Sequence, residues 1–500
     1  MPRAVSTGDV QDQKARPDHA HPEAIASTAR GAVWMLIGLL LIAAAAAGRA
    51  VAAGTFRIDE IELSGLPHLA VRIPLLCGLF ALYLGHLLRL FAIQAGGTWT
   101  WRREIGIALL LHGAAALAIP ILCNDMFNYL LFGNLEAQRH ISAMTATPAV
   151  LLSDSFQQWI GDAWRTAPCV YGPLSLGQFT LASRLGGGPV VPSLVVYKIS
   201  VLAISVAWLL LCAVGARLAG AGPGSRQAFW LLACNPLWLL EVPGQGHNDG
   251  LMAVLVLGAV LASRAERPLW STVALAFAAA VKFVALVPFA FVLLWMLLKA
   301  PGSWQRRVGA VAVHGTIFLG ILALCYAPIW EGWSTITYPL SFVTAPRLHA
   351  SFLDVVSRGT SWAGRAWSEA AVRAANAVAW LIVAGLAATW VRDWRFRDRD
   401  WRVPWETSLR VLLLYLLLVK GFSLPWYLLW LLPLLVAVDD RRWWRVVIVS
   451  TYLTGAYYFL PRLLPFSFVI AVLAPIVHGP PLLMLWRMTR SRVDAATTAH

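Results

Sequence analysis

Apolar stretches of roughly twenty residues, the length a helix needs to cross a bilayer, recur along this chain and are separated by clusters of arginine. No ordinary soluble domain has room to bury so many of them, so the chain is read as all-α, a polytopic transmembrane helical bundle. Composition agrees, with 59% hydrophobic and only 13% charged residues in a chain of 500. These figures exclude a soluble protein of several domains. A net charge of +15 would suggest a nucleic-acid partner in a soluble protein. In a membrane chain it reports which side carries Lys and Arg, and no nucleic-acid partner is expected.

In order, residues 1–30 are polar and read as a disordered cytoplasmic tail. The first span, 31–53, is too long and lacks the cleavage context of a signal peptide, and Arg49 within it snorkels to the far surface. The loop 54–68 carries Asp59, Glu60 and Glu62. Spans follow at 69–93 and 105–122. Residues 123–194 hold no lipid span and read as a long, functional outer loop, in which Tyr171, Gly172 and Pro173 turn the chain ahead of an amphipathic or re-entrant helix. Further spans are placed at 195–218, 228–241, 249–263, 307–327, 370–391, 407–420, 426–438, 445–460 and 467–486. The stretch 269–299 is too long for one crossing and is interrupted by Lys282 and Pro288, so it reads as a broken hairpin. The total is about 14 membrane segments. They form one catalytic domain over 31–488, with 489–500 as a second cytoplasmic tail.

Arginine gives the sidedness. Arg102 and Arg103, Arg217 and Arg226, Arg264 and Arg267, Arg306 and Arg307, Arg392 to Arg402, Arg441 to Arg445 and Arg487 to Arg492 fall on one side, which is therefore cytoplasmic. Both termini share that side. The loops 123–194 and 328–369 lie opposite. The six cysteines show no metal-ligand spacing; Cys123 and Cys169 fall near one outer face, where a bridge is open to them.

Polar residues concentrate on that outer side. In ILCNDMFNYLLFGNL, Asn124 and Asp125 follow an apolar run and precede Tyr129. Either the pair caps the next helix, or Asp125 faces a wet cavity as a catalytic base. The stretch NPLWLLEVPGQGHNDG packs Glu241, Gln245, His247, Asn248 and Asp249 between short apolar segments, as a polar site or a hydrated turn does. Lys282 at the hairpin apex either meets a lipid phosphate or snorkels. Arg347 in the loop 328–369 is either a forked phosphate donor or an ordinary loop arginine. KGFSLPWYLLW brings Lys420, Trp426 and Tyr427 to the interface, where aromatic belts are common.

Taken in order, NDMFNYLLFG, VYGPL, NPLWLLEVPGQGHNDG, AAAVKFVALVPF and SLPWYLLWLLP resemble the integral-membrane GT-C glycosyltransferases. The closest likeness is to bacterial polyprenyl-phosphomannose-dependent α-mannosyltransferases, over about residues 105–440. The resemblance implies a GT-C type fold whose outer loops carry amphipathic helices. It implies transfer of a sugar, mannose by the likeness, from a polyprenyl-phosphate donor to a cell-envelope glycan or glycolipid hydroxyl on the outer face of the cytoplasmic membrane. Asp125 matches the acidic residue that acts as base. Asn124, Tyr129, Tyr171, Gln245, His247, Asn248, Asp249, Lys282, Arg347, Lys420, Trp426 and Tyr427 are the candidate substrate-binding residues. Direct displacement by the acceptor hydroxyl inverts the anomeric centre. No cofactor is expected, and no metal is demanded where Lys and Arg serve the phosphate. The rival class is a transporter or lipid-linked-sugar flippase, whose usual sign is pseudo-symmetric halves. No inverted repeat is visible in the hydropathy.

Overall fold

The computed structural model describes residues 22–53, 69–96, 99–147, 149, 165–220, 222–344, 347–397, 399–464 and 466–497. Among the described residues the architecture is helical, and the β pairing amounts to an isolated parallel bridge between His349 and Phe422. The helices are α1 (Pro22–Ala53), α2 (Leu69–Gln94), α3 (Trp101–Ala116), α4 (Asp125–Gln138), α5 (Pro173–Leu185), α6 (Val190–Leu218), α7 (Pro223–Ala233), α8 (Pro236–Leu239), α9 (Asp249–Arg264) and α10 (Pro268–Val281). They continue as α11 (Leu286–Lys299), α12 (Trp304–Tyr326), α13 (Ser334–Thr344), α14 (Phe352–Thr360), α15 (Arg365–Asp393), α16 (Val403–Leu414), α17 (Arg441–Leu453), α18 (Ala456–Leu463) and α19 (Phe466–Thr497).

Among the described residues, five helical stretches are long and apolar enough to cross a membrane alone: Ala29–Arg49, Leu69–Gln94, Val190–Leu218, Trp304–Ile329 and Arg365–Phe396. On α12 and α15, Leu319, Leu324 and Leu381 are left exposed, as lipid-facing side chains are. Other stretches read as spans have a different form. Residues 228–241 become the end of α7, the four residues of α8 and a π-helical turn, Leu240–Gly244. Residues 407–438 become part of α16, a π-helical turn at Tyr415–Val419 and 3-10 turns at Pro425–Trp430 and Leu432–Ala437. Prolines 236, 243, 425 and 433 lack the N–H that a regular helix requires. Leu237, Trp238, Leu429, Leu432 and Leu434 are fully buried, so these runs are apolar because protein surrounds them. Hydropathy alone does not separate that case from a lipid-facing helix.

Several boundaries move. Helix α1 begins at Pro22, so helical backbone enters the stretch read as a disordered tail, and α19 continues to Thr497, into the second tail. Residues 1–21, the loop 54–68 with Asp59, Glu60 and Glu62, and residues 150–164 of the long outer loop lie outside the described residues. Helix α3 stops at Ala116, earlier than the expected end near residue 122, and Leu117–Asn124 leads to α4 without helix. The 269–299 stretch breaks at Lys282, whose backbone is extended. Pro288 does not break it, because it sits in the first turn of α11, where backbone N–H groups have no intrahelical acceptor.

Glycines fix the packing of α1 on α2. A Cβ on Gly38 would stand 2.6 Å from the Gly78 carbonyl oxygen, and one on Gly85 2.6 Å from the Gly31 carbonyl oxygen. Small residues at such crossings let membrane helices approach closely enough for dispersion to hold them.

Candidate active site

The site forms where the α8–α9 connection meets the start of α4. The π-helical turn Leu240–Gly244 leaves carbonyls without helical donors, and Lys198 on α6 supplies them: its Nζ donates to Pro243 O (2.5 Å), Gly244 O (2.7 Å) and Ala118 O (2.8 Å). Gly246 has φ +79°, and a Cβ there would overlap Met126. The Tyr197 hydroxyl donates to Gly246 O at 2.9 Å. Gln245 Oε1 accepts the backbone N–H groups of Ile121 (3.0 Å) and Leu122 (2.8 Å), tying the segment before α4 to this turn. Through that tie Asp125 is carried against His247.

Asp125 is buried at the first position of α4. Asn124 occupies the N-cap position, but its side chain makes no capping bond. Asp125 Oδ2 lies 3.5 Å from the Tyr129 hydroxyl, one turn further on, and 3.6 Å from His247 Nδ1. The same hydroxyl is 3.4 Å from both His247 Nδ1 and Asn248 Oδ1. On its other edge, His247 Nε2 is 3.0 Å from Glu241 Oε2 and 3.2 Å from Cys123 Sγ. Glu241 also accepts the Tyr458 hydroxyl, and the His247 ring stacks on Trp426 with centroids 4.0 Å apart. Asn248 Nδ2 donates to Ser175 Oγ at 3.0 Å.

A cationic half adjoins this acidic half. Lys282 Nζ donates to Asp249 Oδ1 at 2.7 Å, and Trp430 Nε1 donates to the same oxygen at 2.5 Å. Asp249 Oδ2 is buried with no hydrogen-bond partner among the described residues. The Lys282 ammonium stands 5.5, 5.4 and 5.4 Å from the ring centres of Tyr171, Tyr427 and Trp430, where the π faces attract it. Lys420 Nζ stands 5.3 Å from the ring centre of Tyr427. On the loop Lys420–Leu424, burial and the charges of Lys282 and Arg347 push Lys420 down to about 8. Arg347 reaches the site through the isolated bridge, in which His349 N donates to Gly421 O (2.9 Å) and Ser423 N to His349 O (3.0 Å). The edge-to-face pair Tyr129 and Tyr171, with centroids 5.0 Å apart, joins the two halves.

All the candidate residues therefore gather in one region, and Asp125 is buried among side chains there. Cys123 and Cys169 form no bridge with each other; Cys123 packs on His247, and Cys169 Sγ points to the Tyr171 carbonyl oxygen 3.9 Å away. The sequence reading also missed partners. Lys198 and Ser175 hold the turn and Asn248, and Trp430 holds Asp249. Lys198 had a visible signal, being a lone cation inside an apolar span.

Helices long and apolar enough to cross a membrane, with a buried site of opposed carboxylates and cations, define a polytopic membrane protein whose site is suited to group transfer. The family described as alpha-(1->6)-mannopyranosyltransferase, N-terminal domain, matches residues 28–298. That is more than half of the chain, and the chain belongs to this family. The matched part holds Asp125, Tyr129, Tyr171, the turn 245–249 and Lys282. Alpha-(1->6)-mannopyranosyltransferase A of Corynebacterium glutamicum is 24% identical over 358 residues, which cover 65% of this chain and 69% of that protein. The protein of the same name from Mycobacterium tuberculosis is 25% identical over 336 residues, 64% of this chain and 62% of that one. A probable alpha-(1->6)-mannopyranosyltransferase of Mycolicibacterium smegmatis is 24% identical over 399 residues, 71% and 69% of the two chains.

Proposed function

We propose that this protein transfers mannose from a polyprenyl-phosphate donor to a hydroxyl of a cell-envelope glycan or glycolipid, on the outer face of the cytoplasmic membrane. The observation that carries this reading is the contact between a carboxylate-imidazole half and a cation-aromatic half in one buried site. The acceptor oxygen attacks the anomeric carbon opposite the phosphate. The bond from that carbon to the phosphate oxygen breaks, and the configuration inverts. Asp125 takes the hydroxyl proton as general base, with Tyr129 and His247 setting its orientation.

Lys282, Lys420 and Arg347 take the charge that develops on the departing polyprenyl phosphate, through charge-assisted hydrogen bonds. Asp249 and Trp430 position Lys282. Tyr171, Trp426 and Tyr427 offer rings to the sugar, while Asn124 and Asn248 supply amides for its hydroxyls. Gln245 acts indirectly, by holding the segment that carries Asp125.

The test uses purified protein in detergent with polyprenyl-phosphomannose and a mannoside acceptor. Detergent removes the membrane barrier, so product formed there cannot come from flipping or transport. Transfer that disappears in Asp125→Asn supports the reading. A wild-type protein that forms no product, yet moves the lipid-linked sugar across the bilayer of a proteoliposome, would sink it.

A further inference from the structure

Leu298, Lys299, Arg307 and Arg399 line a cavity of about 520 Å³ at the far end of α11. That volume is within the range of small-ligand sites. Helix α11 begins just after Lys282 and runs 14 residues, so the cavity is about 20 Å along the helix from the candidate active site. It is a separate place with its own charge balance.

Three cations line it, with no acid among the described lining residues. Arg307 Nη1 donates to the Leu298 carbonyl oxygen at 2.9 Å, which fixes the guanidinium, while its Nε is buried with no hydrogen-bond partner. Among the described residues of the adjoining segment, Asp400 and Glu406, and Asp439 nearby, are engaged with other arginines. Asp400 holds Arg397 at 2.5 Å, Glu406 holds Arg397 at 2.6 Å and Arg410 at 3.3 Å, and Asp439 holds Arg402 at 2.6 Å. Among the described residues no carboxylate pairs with Lys299, Arg307 or Arg399. Like charges gathered around one cavity repel unless an anion joins them.

The surroundings choose the kind of anion. Leu298 is part of the lining and is itself exposed, and Trp304, the first residue of α12 and one turn before the lining residue Arg307, is exposed too. An exposed tryptophan next to cations at a helix end is the arrangement of a membrane-water interface. A ligand with an anionic head and an apolar body matches both features, whereas a free inorganic anion matches the charge alone.

We propose that this cavity binds the phosphate of an anionic phospholipid headgroup, with the acyl chains left on the apolar surface of α11 and α12. The binding is independent of mannosyl transfer. It needs only that these helices cross the bilayer.

The experiment titrates purified full-length protein in detergent with phosphatidylglycerol, phosphatidylcholine or inorganic phosphate, counting bound lipid by native mass spectrometry. Phosphatidylglycerol is retained over phosphatidylcholine, and Lys299→Met with Arg399→Gln weakens its binding by about 10- to 30-fold, the scale for removing two cations from a lipid-facing basic site. Arg307 is left intact because it also holds the backbone. Arg399→Gln alone, at an exposed position, gives a smaller loss in the same direction should the double variant be unstable. Phosphatidylglycerol binding unchanged in both variants overturns the proposal. Displacement of phosphatidylglycerol by equimolar inorganic phosphate overturns the lipid assignment.

Discussion

Asp125 and Asp249 both begin helices and both are buried, yet their surroundings differ. Asp249 Oδ1 accepts from an ammonium and an indole at close range, whereas the Tyr129 hydroxyl and His247 lie 3.5 and 3.6 Å from Asp125. Asp125→Asn keeps shape and removes the proton acceptor, so kcat falls by roughly 100-fold or more with membrane abundance unchanged, the usual scale for losing a general base. Asp249→Asn removes the counter-charge of Lys282, and its loss shows mainly as a raised KM for the donor. Steady-state kinetics of the two variants, normalised to membrane abundance, separate them. A near-normal kcat in Asp125→Asn beside an inactive His247→Ala would move the base to the other arm of the cluster.

Lys420 provides a pH signature at the same scale. With its pKa pushed down to about 8, the ammonium is present below that pH and lost above it. Donor kcat/KM is therefore full below about pH 8 and falls as the pH rises through it. Lys420→Arg keeps its charge, so the fall moves to higher pH or disappears. A pH profile of donor kcat/KM for the two proteins decides the matter, and identical profiles would remove Lys420 from the phosphate site.

Among the elements, the pair α1 and α2 makes the sharpest demand on sequence. Gly38 faces the Gly78 backbone so closely that any side chain has to push the helices apart. Gly38→Val costs about 1–3 kcal/mol, the usual penalty of overpacking, and lowers the melting temperature in detergent. A melting curve matching wild type would show that these helices separate without penalty. Apolar length marked α1, α2, α6, α12 and α15, because a helix facing lipid must stay apolar along its length. It did not mark α8 or the turns after α16, where the same apolar signal comes from burial in protein. The polar cluster was legible as a density of His, Asn, Asp and Gln between apolar runs. Its wiring was not: Tyr458 reaches Glu241 from 217 positions away, and no local pattern records such a partner.

At the scale of the whole molecule, the site's chemistry is tied to its side of the membrane. Helix α12 alone can report that side. Its 23 residues rise about 34 Å, enough to cross a hydrocarbon core of about 30 Å. Arg306 and Arg307 stand in its first turn, and past its far end comes the segment leading to Arg347. In the orientation proposed from arginine asymmetry, the first end lies in the cytoplasm and Ser334, beyond the other end, outside. Single cysteines at Gln305 and Ser334, both exposed, put this to the test in a background where the exposed Cys77 and half-buried Cys325 are replaced by serine. Gln305 is chosen over its neighbour Ser303, whose hydroxyl accepts from the Arg306 backbone at the helix start. An impermeant thiol reagent added to intact cells labels Ser334→Cys and spares Gln305→Cys, and both react once the membrane is opened. The reverse pattern in intact cells would turn the molecule over. It would then place the Lys282, Lys420 and Arg347 cluster on the cytoplasmic side, where a donor presented on the outer leaflet could not reach Asp125.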